Sequence, residues 1–146
     1  MKQINLYSDG SSLGNPGPGG WGTILEYKGK ERELCGGRED TTNNQMELLG
    51  VIEGLKALKE PCDVTIISDS SYVVKGINEW LKSWIKNNWK TAAKKPVKNV
   101  DLWQEYVKVS KSHKINALWV KGHDGHEYNE RCDILARSYA EKLKGE

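Results

Sequence analysis

Two aspartates carry the clearest chemical signal in this chain. Ser8-Asp9-Gly10 closes an alternating segment and Ser68-Asp69-Ser70 closes a β-branched apolar run, so each carboxylate stands at a strand end. If the two strands are parallel neighbours, both side chains emerge at carboxyl ends, where open α/β sheets place their ligands. Glu47 and Asp133 lie in helix-start contexts that would bring them to the same rim. Oxygen ligands of this kind suit a hard divalent cation such as magnesium better than zinc or copper. Without a cation, two carboxylates about 4 Å apart repel by roughly 4 kcal/mol at an effective dielectric near 20. Two bound ions about 3.5–4 Å apart would orient an attacking water and stabilise the leaving oxygen of a phosphodiester. His123 sits in a glycine- and histidine-rich stretch ten residues before Asp133, within reach of a proton-transfer role.

Each residue also has a purely structural reading. Asp9 and Asp69 serve as turn formers after strands, Glu47 as the partner of Asn44 in a capping box, and Asp133 as a complement to a helix dipole. His123 and His126 read as surface residues or as half of a zinc site. Taken singly, none of these positions decides between structure and chemistry.

The elements that must position them follow from periodicity. Residues 3–9 alternate, with Ile4, Leu6 and Ser8 on one face, as a strand does. Residues 10–20 read as a turn-rich loop, and residues 21–27 and 31–36 as a hairpin. Leu48, Val51, Ile52, Leu55 and Leu58 form a helical stripe that ends near Pro61. Residues 64–67 read as a buried strand, 71–86 as helix interrupted at Gly76, and 87–99 as a polar, basic loop. Residues 100–111 read as helix, 115–120 as the last strand, 122–127 as a loop and 129–143 as the final helix. The order βββαβαααβα predicts an α/β fold with an antiparallel hairpin at one edge of a mixed sheet. A length of 146 residues with 37% hydrophobic content suits a single domain spanning residues 1–146.

The net charge of +2 says little, but its placement says more. Lys75, Lys82, Lys86, Lys90, Lys94, Lys95 and Lys98 face one acid, Glu79, in the same stretch. Such a block reads as a solvated surface or as a contact for a polyanion. Trp80, Trp84 and Trp89 interleave with the lysines, and Trp80 and Trp84 share a helical face suited to core packing or to base stacking. Cys35, Cys62 and Cys132 are odd in number and widely spaced, which points to reduced thiols. The expected setting is the cytoplasm, since no leader or membrane-length apolar run is visible.

Several ordered strings are similar to bacterial ribonuclease H of type 1: YSDGSSLGNPGPGGWG from Tyr7, TTNNQMEL from Thr41, SDSSYV from Ser68, WKTAAKKPVKNVDLW from Trp89 and VKGHDGHEYNERCDILAR from Val120. The resemblance runs nearly end to end. It implies the ribonuclease H-like fold, a five-stranded mixed sheet flanked by helices with a basic protrusion. It implies that Asp9, Glu47, Asp69 and Asp133 are catalytic metal ligands for two Mg2+ ions, with Mn2+ a substitute, and that His123 assists proton transfer or product release. The implied reaction is endonucleolytic hydrolysis of the RNA strand of an RNA–DNA hybrid, leaving a 5′-phosphate and a 3′-hydroxyl, by a monomer. Telling RNA from DNA requires groups at the 2′-hydroxyl; the resemblance gives this work to Asn43, Asn44 and the backbone from Gly10 to Asn15. Thr42 and Trp80 resemble family contacts to the DNA strand, and the stretch from Trp84 to Lys98, with Lys86, Lys94 and Lys95, resembles the basic protrusion that grips the hybrid. Ser71 and Lys75 depart from a glutamine common in relatives, and Asp124 replaces a small residue beside His123; these bear on fine substrate contacts and on the histidine's protonation. Two other readings stay open: a DNA-acting nuclease of the same fold and a catalytically idle hybrid-binding module. The Asn43, Asn44 pair and the basic stretch favour the hybrid, and an idle binder would gain nothing from four mutually repelling acids.

Overall fold

Alternation at the N-terminus builds the central strand, because Ile4, Leu6 and Ser8 are buried on one face while Asn5 and Tyr7 on the other are only partly covered. A computed structural model describes residues 1–122 and 127–145. In chain order it runs β1 (Lys2–Ser12), β2 (Gly17–Tyr27), β3 (Lys30–Thr41), α1 (Asn43–Lys56), β4 (Cys62–Ser68) and α2 (Ser71–Lys75), then a π-helical turn (Gly76–Trp80) and α3 (Leu81–Lys86). It closes with α4 (Val100–Ser110), β5 (Lys114–Trp119) and α5 (Glu127–Lys144). The sheet order is β3-β2-β1-β4-β5. β2 pairs antiparallel with both β1 and β3, β4 pairs parallel with β1, and β5 pairs parallel with β4, so the predicted five-stranded mixed sheet is present.

The main core lies between the sheet and α1, with α4 behind it. Leu6, Leu48, Val51, Ile52, Val64, Ile66 and Trp103 have no exposed surface. Each aliphatic side chain buried in this way contributes about 1.5–3 kcal/mol. On the opposite face α5 lies across β1, β2 and β3. It comes so near that a Cβ on Gly22 would stand 2.5 Å from the Cys132 carbonyl oxygen.

One local expectation changes and two gain detail. Residues 10–20 are not one loop: β1 continues to Ser12 and β2 begins at Gly17, with Gly10 opposite Trp21 and Ser12 opposite Gly19. Gly10 and Gly20, which read as turn formers, are strand residues against which helices pack, α1 on Gly10 and α5 on Gly20. The α-helix after β4 is interrupted at Gly76, where it widens into a π-turn, and the Trp103 indole fills the space a side chain there would need. Residues 87–99 form the expected loop, and it is closed on itself, since Lys90 bridges Pro96, the Val97 N–H donates to the Trp89 carbonyl at 3.1 Å, and Val97 is buried. No helix among the described residues is long and apolar enough to cross a membrane. Cys35 is exposed, Cys62 and Cys132 are buried, and all three are free thiols among the described residues.

Candidate active site

Strand register brings the first two carboxylates together. β1 and β4 are parallel with Ser8 beside Ser68, so the next residues, Asp9 and Asp69, stand side by side where the parallel pairing ends. Glu47 arrives from α1. The backbone at Met46 and Glu47 lies against Gly10, where a Cβ would overlap the Glu47 nitrogen, so the absence of a side chain lets the helix cross the strand end. Thr42, not Asn44, caps α1: its extended backbone (φ −122°, ψ 163°) and its hydroxyl, which accepts the Gln45 N–H at 3.3 Å, start the helix. The expected capping box of Asn44 with Glu47 is therefore absent, and Glu47 turns inward from the second turn. Asp9, Glu47 and Asp69 each place a carboxylate oxygen within 4.8 Å of the others.

Asp133 stands outside that set of three. It lies on α5, where its Oδ2 accepts hydrogen bonds from Arg137 Nε at 2.9 Å and Nη2 at 2.8 Å. Its negative charge still reaches Asp9. The strand end itself is held by two side-chain donors: Trp119 Nε1 to the Asp69 carbonyl at 3.0 Å, and Asn129 Nδ2 to the Ile67 carbonyl at 3.2 Å. His123 lies outside the described residues, as do Asp124 and His126. Gly122, just before it, passes so close to Asp69 that a Cβ there would be 2.8 Å from Oδ2.

The electrostatics are those of acids short of positive charge. Burial pushes Asp9 up to about 7, with the negative charge of Asp69 adding to the rise and hydrogen bonds from Glu47 and the Gly10 N–H opposing it. Burial likewise holds Glu47 well above the ordinary carboxylate range, and the adjacent Asp9 adds to it. Glu47 Oε2 is buried and has no hydrogen-bond partner among the described residues. A buried acceptor left unmade costs about 1–3 kcal/mol, more if charged, and a hard cation removes both that cost and the mutual repulsion. The donor set, all carboxylate oxygen, fits such an ion.

The residues expected to meet the substrate gather beside this cluster and on a separate arm. Asn15, Thr42, Asn43, Asn44, Gln45, Lys98 and Asn99 line one groove of about 340 Å³. Asn43 is oriented there by its Oδ1, which accepts the Ser12 N–H at 2.8 Å. Gly10 is buried, its N–H donating to Asp9 Oδ1 at 2.9 Å. Trp80 and Trp84 are half-buried and stack in series toward Trp103, with ring centroids 5.7 Å and 5.3 Å apart. Lys86, Lys94 and Lys95 are exposed and contribute nothing to the acidic cluster. Sequence reading missed Gln45, Asn99, Trp119, Asn129 and Arg137. Only Arg137 had a local signal, its helical i,i+4 spacing from Asp133; the Trp119 and Asn129 bonds join residues 50 and 62 apart.

A mixed α/β sheet with carboxylates converging where adjacent parallel strands end is an arrangement suited to holding divalent cations. The "RNase H" family model matches residues 1–141. The chain is 66% identical over 143 residues to a "Ribonuclease H" of Sulfurovum sp. (strain NBC37-1), covering 98% of this chain and 94% of that one. It is 56% identical over 146 residues to a "Ribonuclease H" of Campylobacter curvus (strain 525.92), covering 100% and 98%. Among solved structures, "LC9-RNase H1, a type 1 RNase H with the type 2 active-site motif" superposes with a TM-score of 0.88 at 32% identity, covering 98% of this chain and 74% of that one. The chain belongs to the ribonuclease H family.

Proposed function

We propose that this enzyme hydrolyses the RNA strand of RNA–DNA hybrids endonucleolytically, with Asp9, Glu47, Asp69 and Asp133 holding two Mg2+ ions, for which Mn2+ can substitute. The observation that carries the proposal is the convergence of Asp9, Glu47 and Asp69 within 4.8 Å at a strand end, in a chain of this family. When bound, the ions supply the positive charge that activates water and stabilises the leaving 3′-oxygen, so the products carry a 5′-phosphate and a 3′-hydroxyl. The chain's own work is to keep the acids aligned: the Gly10 N–H holds Asp9, Trp119 holds the Asp69 carbonyl, and Arg137 holds Asp133. His123 accepts or delivers a proton, or assists product release, from the segment that follows Gly122.

The hybrid lies along the groove beside α1. Asn15, Asn43, Asn44 and the backbone from Gly10 read the 2′-hydroxyls, while Thr42 and Trp80 meet the DNA strand. Trp84, Lys86, Lys94 and Lys95 grip phosphates farther along, which makes cleavage tolerant of sequence. The enzyme acts as a monomer in the cytoplasm, a setting that suits its three free thiols.

Matched RNA–RNA, DNA–DNA and RNA–DNA duplexes incubated with Mg2+, with and without chelator, test the proposal. The expected result is chelator-sensitive cleavage of the RNA in the hybrid alone. Intact RNA in the hybrid overturns it, and cleavage of the DNA duplex indicates instead a DNA-acting nuclease on the same fold.

A further inference from the structure

Four side chains from four separate segments form one hydrogen-bonded chain beneath the groove, and a fifth, the Trp103 indole, joins its far end. Thr41 Oγ1 donates to Gln45 Oε1 at 2.8 Å, Gln45 Nε2 donates to Asn99 Oδ1 at 3.1 Å, and Asn99 Nδ2 donates to the Tyr72 hydroxyl at 3.1 Å. Trp103 Nε1 donates to the same hydroxyl at 2.9 Å. The chain thus begins at the end of β3, passes through the first turn of α1 and the N-terminus of α4, and ends in α2 and on a tryptophan with no exposed surface. Asn99 is bent for this purpose. It sits in the left-handed region (φ 57°, ψ 34°) at the cap position of α4, yet its side chain makes no bond to its own helix. Its carboxamide is turned instead to Gln45 on one side and Tyr72 on the other.

The groove has Thr42, Asn43 and Asn44 along one wall and Lys98 and Asn99 along the other. The Gln45–Asn99 bond is the direct side-chain link between those walls. We infer that Gln45 is a positioning residue for substrate binding: through Asn99 and Tyr72 it sets the width of the groove and ties the start of α1 to the base of the lysine-rich arm. The inference rests on the proposed hybrid specificity only for the identity of what enters the groove. It predicts an effect on affinity rather than on the chemical step, because none of the four side chains belongs to the acidic cluster.

The test pairs two uncharged substitutions that break the chain at different links. Gln45→Leu removes both of its bonds at nearly constant volume, and Tyr72→Phe removes the hydroxyl that anchors Asn99 from the far side of the groove. KM and kcat are measured on an RNA–DNA hybrid, with direct hybrid binding measured by fluorescence anisotropy without Mg2+ and thermal midpoints recorded. Each variant is expected to weaken binding and raise KM by about threefold to tenfold, the scale of one or two neutral hydrogen bonds, with kcat changed less than twofold. The double variant should lose no more than the worse single one, since both act through Asn99. Unchanged KM and binding, a loss confined to kcat, or fully additive losses in the double variant would each overturn the inference. If the unaltered protein neither binds nor cuts the hybrid, the proposed function fails instead, a result visible before any variant is compared.

Discussion

At the scale of single residues, the site stores a conflict that the cation resolves. Asp9, raised by burial to about 7, and Glu47, held by burial well above the ordinary carboxylate range, keep protons in the folded chain that the unfolded chain has already released. Between the unfolded value near 4 and about 7 the folded state binds more protons, so the metal-free protein loses stability as pH rises through that window. His113 slopes the other way: burial holds its imidazole below the usual range while Nδ1 accepts the Cys62 N–H at 3.1 Å, so its contribution is lost as pH falls below about 6.5. The informative comparison is therefore with Asp9→Asn, in which Asp9's share of the first slope is removed while the slopes of Glu47 and His113 remain. Metal-free Asp9→Asn is expected to be inactive but more stable than the unaltered chain at pH 8, by several degrees in thermal midpoint, with the difference shrinking toward pH 4. A midpoint difference that is flat with pH, measured by calorimetry with chelator present, would refute the assignment of strain to Asp9. Asp69→Asn tests the same repulsion without the pH argument: hydrolysis is abolished and the metal-free fold is as stable or more so, and a large fall in its metal-free midpoint contradicts that expectation. Asp9 and Asp69 were legible in the sequence because a period-two alternation and an apolar run each end on them, and parallel register then does the rest. Glu47 was legible from its helix-start context, the competing reading as a cap partner of Asn44 fails because Thr42 supplies the cap, and what brings it to the site is the close passage of α1 over Gly10.

At the scale of elements, close approach rather than propensity decides where the fourth acid sits. α5 carries Asp133 and lies directly on β2, with the Cys132 carbonyl over Gly22. Local pattern cannot show this, because a glycine needed for a helix to pack looks the same in sequence as one needed for a turn, which is why residues 10–20 read as a loop. Gly22→Ala forces α5 outward. Overpacking of this kind costs about 1–3 kcal/mol, or roughly 2–4 °C in midpoint per kcal/mol for a chain of this size. The variant should melt several degrees lower and bind Mg2+ more weakly by titration calorimetry, as Asp133 moves off the rim; an unchanged midpoint would show that the helix does not rest on this strand. The sheet edges show the opposite logic, in which side chains keep backbone from pairing with strangers. Asn78 on the π-turn donates to the Ala117 carbonyl of edge strand β5 at 3.0 Å, and on β3 Arg131 pairs with Glu31 at 2.9 Å and Glu33 at 2.6 Å. The element order was readable from periodicity, whereas these contacts join segments far apart in the chain.

At the scale of the whole molecule, the small net charge of +2 conceals a separation of signs. Buried acid gathers at the ends of β1 and β4, while lysine gathers on α3 and the turn after it, braced from within by Trp80, Trp84, Trp103 and Tyr106 at ring spacings of 5.3–5.9 Å. Under the proposed function such an arm meets a polyanion, and each phosphate it neutralised would release condensed counterions. The observable consequence is a slope: log affinity against log salt falls by roughly 0.7–0.9 per phosphate contact. Replacing Lys86, Lys94 and Lys95 together with alanine should reduce the magnitude of that slope by about 2–3 if each meets one phosphate. Affinity for the hybrid should fall most at low salt. The Mg2+ isotherm should stay unchanged, since none of the three lysines enters the carboxylate cluster. A lost salt slope with intact metal binding would separate the gripping surface from the cutting centre in one chain, whereas an unchanged slope would place the lysine arm outside the path of the nucleic acid.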